Sequence, residues 1–537
     1  LLRWLNMLTK EARKETAAVA TSGFVRPALG NQIIRNVMFG GLRYVFVVPI
    51  PFIMIPLILH KIGVAGYGTW AVFLAINGLT SLADLGLVGT LSKFVAEYHA
   101  TQDFPSLSRA LNSGLGLFLL IDLALCSALW GLSPLLAGRL FRGSPVSHVE
   151  LVSLFRIFLI VVVANVLTQP LASVTTGLQR LDLTNMISAA SVTLSAVFSA
   201  VLLLEGWGLR GLVYGYCAAA MVTVAAYVVV VRRLLPQIIP NPFGLNGAEA
   251  RKMFGFSLRL YITQAAVAVH NQVEKLYLGM LVGVAAVGWY DMASDIALKV
   301  RNGLSSVLAP VLPAASELNA VGDESRMREL FYRTHKYLAL VGVPAVCYVA
   351  AISHRFVELW VGPSLAVVAF PLSILVLVNF VNLATGPGFL ILAGKGDLSP
   401  GIQSAALGIG VNLLLSLGLI YRFGFAGAVV GTSVSLIAGS AFFMALFHHR
   451  SGYPVMRVLR EGYLKPTLCS IPLVAVLLAV WPASRLSWLG LLGIGVCFGI
   501  LYAVVVLLSR FFDEYDWVKI EKFAPGVRSA RRLMRIA

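Results

Sequence analysis

Apolar runs broken by short polar turns recur from Val37 to Leu508, and most are long enough to cross a bilayer as helix, about 18 residues or more. The pattern predicts fourteen spans, at 36–59, 68–91, 110–137, 151–176, 184–204, 209–231, 253–282, 285–313, 335–352, 366–392, 400–421, 424–447, 465–483 and 487–509. Only helices and closed barrels satisfy their backbone groups in lipid, and runs of this length are helical. The chain therefore reads as an all-α polytopic membrane protein of about 14 transmembrane helices.

Two glycine patterns repeat. Gly63-Val-Ala-Gly-Tyr-Gly68 sits between spans 1 and 2, and Gly283-Val-Ala-Ala-Val-Gly288 between spans 7 and 8. Gly208-x-x-Gly211-x-Val213-x-Gly215 opens span 6, and Gly424-x-x-Gly427-x-Val429-x-Gly431 opens span 12. The offset is six spans in both cases. Six is even, so the halves form two parallel-repeat six-helix lobes, with two C-terminal helices added. The expected segments are an amphipathic N-terminal stretch at 1–34, a first lobe at 35–231, a linker at 232–252, a second lobe at 253–447, the added pair at 448–510 and a basic tail at 511–537.

Composition agrees. The chain of 537 residues is 58% hydrophobic and 12% charged, where a soluble domain carries about 25% charge. A net charge of +18 in a soluble protein would suggest nucleic acid. Here most of the 42 Lys and Arg fall on the side that holds both termini, and this positive-inside bias places both ends in the cytoplasm. No nucleic-acid partner is expected. The first thirty residues carry five basic side chains and lack a continuous apolar stretch, so no secretory signal is expected there. The longest loops, 232–252 and 316–334, have no room for a soluble catalytic domain. That excludes an ATPase or a glycosyltransferase with its own globular domain. The five cysteines lie in apolar segments without metal spacing, and no metal or other cofactor is expected.

The candidate chemistry is concentrated in 254–302, an apolar hairpin that nevertheless carries Arg259, His270, Glu274, Lys275, Asp291, Asp295, Lys299 and Arg301. Charge in hydrocarbon survives where it meets a wet cavity, a partner or a ligand. This hairpin therefore reads as half of a polar cavity, and the function as moving a solute across the membrane. Arg43 in span 1 and Arg259 in span 7 occupy equivalent helices of the two halves, one helical turn apart under the repeat offset. Together they would make a clamp for phosphate oxygens; snorkelling to the headgroups is the plainer alternative. Asp291, Asp295 and Lys299 share one helix face, with Asp295 and Lys299 at pairing distance. Lys275 either holds an anionic substrate or pairs with a neighbour. His270 and Glu274, one turn apart, have the spacing of a proton relay. Asn77 and Asp84 share a face of span 2, and Asp122 is a lone acid in span 3; proton or sodium coupling at these acids is open.

The segment Gly63-x-x-x-Tyr67-Gly68-x-Trp70, followed by Ser81-Leu-Ala-Asp84-Leu-Gly86-Leu and Phe94-Val-Ala-Glu97-Tyr98, resembles the start of Wzx-type polysaccharide flippases. These form the polysaccharide transporter family of the multidrug/oligosaccharidyl-lipid/polysaccharide (MOP) exporter superfamily, to which the MATE transporters also belong. Gly394-x-Gly396-Asp397 and Phe511-Phe-Asp-Glu-Tyr-Asp516 are similar as well. The resemblance implies a flippase working by alternating access in the bacterial cytoplasmic membrane. Its substrate would be an undecaprenyl-pyrophosphate-linked oligosaccharide for O-antigen, lipopolysaccharide or exopolysaccharide assembly. It implies that Arg43 and Arg259 face the pyrophosphate and that the added helix pair serves the polyprenyl tail; Lys275 and Lys299 join them as candidate cavity cations from the residue pattern alone. Implied partners are the lipid bilayer, a polysaccharide polymerase and chain-length machinery. A cation-coupled multidrug exporter and a membrane-embedded enzyme on lipid-linked sugars remain the alternatives. The first would need an acid in span 1, where Arg43 stands instead. The second would need a carboxylate or His near a large external loop.

Overall fold

The computed structural model describes residues 47–80, 82, 86–238, 241, 243–247, 249, 251, 253, 269–270, 272–480, 487–509 and 511–523. Each expected span is represented by helix among them. The helices of the first half are α1 (Pro49–Thr80), α2 (Leu87–Ala100), α3 (Phe104–Leu140), α4 (His148–Gly177), α5 (Leu181–Leu204) and α6 (Gly208–Leu234). They are followed by α7 (272–281), α8 (Val284–Ser305), α9 (Val311–Ala320), α10 (Glu324–Val361), α11 (Ala369–Leu383) and α12 (Gly386–Gly394). The last four are α13 (Ser399–Ser451), α14 (Leu464–Val480), α15 (Trp488–Leu508) and α16 (Glu514–Phe523).

Among the described residues, ten helical segments are long and apolar enough to cross a membrane. Two of these, α1 and α13, each hold two crossings, because the backbone breaks at Gly63 (φ 71°) and Gly424 (φ 57°). α8, with its four charged side chains, lies outside those ten, and of the expected span 7 the described residues include the helical stretch 272–281. All four glycines that open the repeated patterns have positive φ, including Gly208 (55°) and Gly283 (132°). An L side chain is strained there, so glycine at these turns follows from backbone geometry. The hairpins close in the same way. A Cβ on Gly211 would lie 3.0 Å from Leu202 Cβ, and one on Gly427 would lie 2.1 Å from the Leu419 carbonyl oxygen.

Two boundaries differ from the sequence pattern. Span 2 does not continue to residue 91. Its helix ends at Thr80, whose hydroxyl donates to the Asn77 carbonyl, and α2 starts after Gly86 in a left-handed conformation (φ 76°). Span 8 ends at Ser305. A short 3₁₀ turn (Ser306–Leu308) and Pro310 stop the helix before α9, because proline cannot donate to the preceding turn.

The chain forms two compact units, one of residues 1–291 with 416–428, the other of 292–415 with 429–537. The first is centred on Leu91, Leu107, Leu111, Phe118 and Val174, which are almost fully buried. Trp70, Phe73 and Phe158 stack edge-on beside them. The second is centred on Phe331, Phe443, Phe447 and Tyr453, with Phe331 and Phe447 stacked 4.9 Å apart.

In the second unit the acidic stretch that opens α16 docks on α10 near its start. Asp516, its side chain 2% exposed, accepts from Tyr337 Oη at 2.6 Å and from Arg333 Nη1 at 3.2 Å, and pairs with Lys336. Asp513 meets Arg333 at 3.2 Å. Burial pushes the Asp513 carboxyl up, but the Asp516 backbone N–H, Lys336 and Arg333 together hold it below the usual carboxylate range. A depressed native pKa stabilises above the unfolded value near ~4 and is lost as pH falls through the native one. Hydrogen exchange at 511–518, corrected for intrinsic rate, is expected to stay slow from pH 7 to 5 and to rise only below the ordinary carboxylate pKa. Asp516→Asn should show fast exchange already at neutral pH, since breaking a buried pair costs about 3 kcal/mol. Equal exchange in variant and wild type would refute the docking.

Candidate functional site

The charged hairpin becomes a built site in the first unit. Lys275 on α7 and Asp291 on α8 are each eight residues from the Gly283 turn, so antiparallel helices bring them level. Their charges meet at 2.6 Å, with side chains 12% and 11% exposed. The second oxygen of Asp291 accepts a short hydrogen bond from the Tyr67 hydroxyl, which reaches over from α1. In a low-dielectric setting such a pair depends on further hydrogen bonds to its members, and the Tyr67 hydroxyl supplies one to Asp291.

What lets Tyr67 reach Asp291 is the small residue beside it. A Cβ on Gly68 would lie 1.7 Å from the Val284 carbonyl oxygen, and one on Gly288 would lie 3.4 Å from Gly68 Cα. The two backbones touch there, as small residues permit in membrane helices. Further anchors hold α7 and α8 to the same unit. The Val284 N–H donates to the Arg142 carbonyl (2.9 Å), and a Cβ on Gly279 would lie 2.4 Å from the Leu140 carbonyl oxygen. Trp289 packs edge-on against Phe425 at 5.6 Å.

The other candidates fall around this core or apart from it. Asn77 accepts from Asn165 Nδ2 at 3.0 Å, linking α1 to α4. Glu274 is fully buried beside Lys275 in sequence, and His270 lies one turn before it, partly buried. Asp122 lies at the middle of α3 and is fully buried. Cys126 Sγ donates to its Oδ1 at 3.4 Å, and Oδ2 has no hydrogen-bond partner among the described residues. In the second unit Asp295 and Lys299 form the ion pair that their spacing predicts. Asp291, grouped with them by sequence, is turned instead to Lys275 and Tyr67. Arg43, Asp84 and Arg259 lie outside the described residues.

The sequence reading did not single out Tyr67 as a site residue, although its place next to Gly68 was a usable signal. Arg301 is one of the hairpin charges to which the sequence assigns no place in the cavity. Arg301 turns to α11, where its Nη2 donates to Asn382 Oδ1 at 3.1 Å. The bidentate Arg180–Asp182 pair, buried and with both hydrogen bonds at 3.0 Å, had no sequence signal beyond adjacency.

Neutralised charge pairs held inside apolar helices can release a cation to an anionic ligand when the helices move. Comparison with known proteins agrees with a transporter. The chain is 21% identical over 500 residues to the probable low-salt glycan biosynthesis flippase Agl15 of Haloferax volcanii, covering 92% of this chain and 98% of that one. It is 23% identical over 296 residues to the uncharacterized membrane protein EpsK of Bacillus subtilis, covering 54% of this chain and 58% of that protein's length. Its fold is that of the lipid II flippase MurJ in an inward closed conformation, with a TM-score of 0.73 and 14% identity, over 88% of this chain and 98% of that one. The profile described as "Polysaccharide biosynthesis protein" matches residues 33–319. With more than half of its length inside that profile, the chain belongs to the polysaccharide biosynthesis protein family, among the polysaccharide flippases of the MOP superfamily.

Proposed function

We propose that this protein flips undecaprenyl-pyrophosphate-linked sugar units from the inner to the outer leaflet of a bacterial cytoplasmic membrane, for assembly of a surface polysaccharide such as O-antigen. The observation that carries this reading is the Tyr67–Asp291–Lys275 cluster, a paired charge set inside an otherwise apolar helix hairpin. Family membership and the flippase names of relatives support it. A pyrophosphate cannot cross hydrocarbon unescorted, and arginine forks bind phosphate oxygens in bidentate fashion. Arg43 and Arg259 hold the pyrophosphate, while Lys275 and Lys299 exchange their aspartates for phosphate oxygens as the cavity changes its open side. Asp122 is the candidate for coupling to a proton or sodium ion. Both termini face the cytoplasm, and polymerase and chain-length proteins receive the flipped product.

Complementation of a flippase-deficient strain tests this. Wild type is expected to restore surface polysaccharide; Arg43→Ala and Arg259→Ala are expected to insert normally and fail, the double variant completely. If both single variants restore polysaccharide as well as wild type does, the arginine clamp is wrong.

A further inference from the structure

The second unit contains a pocket of about 460 Å³ between the end of α8 and the α11–α12 break. Its polar wall is Arg301, Ser305, Asn382 and Thr385, and its apolar wall includes Leu312 and Phe389. Several features make Arg301 its centre. The guanidinium is partly buried, and among the described residues its one hydrogen bond is to Asn382; its Nε has none. No carboxylate pairs with it among those residues. Asn382 is itself held, its Nδ2 donating to Ser440 Oγ at 3.1 Å, so the guanidinium is oriented.

The neighbouring hydroxyls have spent their donors. Ser305 donates to the Asn302 carbonyl at 2.6 Å, and Thr385 donates to the Asn382 carbonyl at 2.8 Å. The donors left for a ligand are therefore those of Arg301, whose charge and N–H groups favour an anion. A charge in apolar surroundings without a counter-ion is costly, and a bound anion offsets that cost.

Depth selects the kind of anion. Arg301 is seventeen residues beyond Val284, about 25 Å along a straight helix. The hydrocarbon core is about 30 Å thick, so Arg301 lies near the membrane face opposite the Gly283 turn. A headgroup phosphate would sit there, with apolar chain against Leu312 and Phe389. We infer that this pocket binds the phosphoryl headgroup of a lipid, Arg301 taking the phosphate and the apolar wall the first part of its chain. The site goes beyond the transport cavity proposed above and does not depend on it. The same chemistry is shared by a bulk anionic phospholipid and by a polyprenyl phosphate.

The test uses the purified full-length protein. Native mass spectrometry would count retained lipid after delipidation. Thermal shift would then be titrated with phosphatidylglycerol, polyprenyl phosphate and, as the neutral control, diacylglycerol. Wild type is expected to bind a phosphoryl lipid and to ignore diacylglycerol. Arg301→Ala should weaken that binding about tenfold or more, the loss of a charge-assisted contact. Arg301→Lys, which keeps charge but not the fork, should fall between. Leu312→Trp, at a position 41% exposed and so able to take the larger ring, should block the chain while leaving Arg301 in place. Preference for phosphatidylglycerol would make this a structural lipid site, and preference for polyprenyl phosphate a substrate-loading site; either supports the inference. Equal retention in wild type, Arg301→Ala and Leu312→Trp, or equal response to diacylglycerol, would overturn it.

Discussion

Asp291→Ala is expected to destabilise the protein by about 3–5 kcal/mol, because it leaves the Lys275 ammonium buried with its carboxylate gone. It also removes the Asp291 acceptor of the Tyr67 hydroxyl. Thermal or denaturant unfolding of the purified protein would measure the loss. Tyr67→Phe removes one hydrogen bond from an intact ion pair and should cost only about 1 kcal/mol. Lys275→Met with Asp291→Leu replaces both charges by apolar groups and should recover most of the stability, since a buried pair gains little over good packing. The same double variant is expected to fail in complementation, because Lys275 would no longer be present to meet a phosphate. That split between stability and transport separates a functional pair from a merely structural one. An Asp291→Ala protein as stable as wild type would show that the pair contributes nothing, and a transport-competent double variant would remove Lys275 from the site.

The second large effect is steric. Gly68→Ala puts a methyl group 1.7 Å from the Val284 carbonyl oxygen, and backbone on both sides cannot turn aside. The α1–α8 contact must open, the Tyr67–Asp291 hydrogen bond must lengthen, and the loss should be about 3 kcal/mol, the upper end of overpacking costs. Gly63→Ala is the useful control. A Cβ there meets nothing within 4 Å, but φ 71° with ψ 178° is a conformation held almost only by glycine, so the expected cost is about 1–3 kcal/mol of strain alone. Unfolding midpoints of the two variants would rank them. If Gly63→Ala proves the more damaging, helix contact at Gly68 is not what holds Tyr67 in place.

The glycine repeat shows how sequence and structure divide the information. Gly63, Gly208, Gly283 and Gly424 were visible as pattern, and positive φ at all four gives the pattern its physical cause. Asp295 and Lys299 were readable as a pair, because an i,i+4 contact depends on one helix only. Lys275 and Asp291 needed the hairpin: their level placement follows from equal distance to Gly283, but nothing in the chain says which faces turn inward. Arg301 was given no place in the cavity because its partner Asn382 lies eighty-one residues away.

By itself, then, the sequence determined the all-α membrane architecture, the number of spans, the repeat and the hairpin in which charge is concentrated. These follow from hydropathy, helix length and backbone sterics, all of them local. Only the tertiary structure decided which charges neutralise one another, that Tyr67 caps Asp291, that Asp122 is sealed from water and that Arg301 opens into a pocket. Those outcomes depend on which helix faces meet, and hydrocarbon-facing and protein-facing apolar residues look alike along a chain.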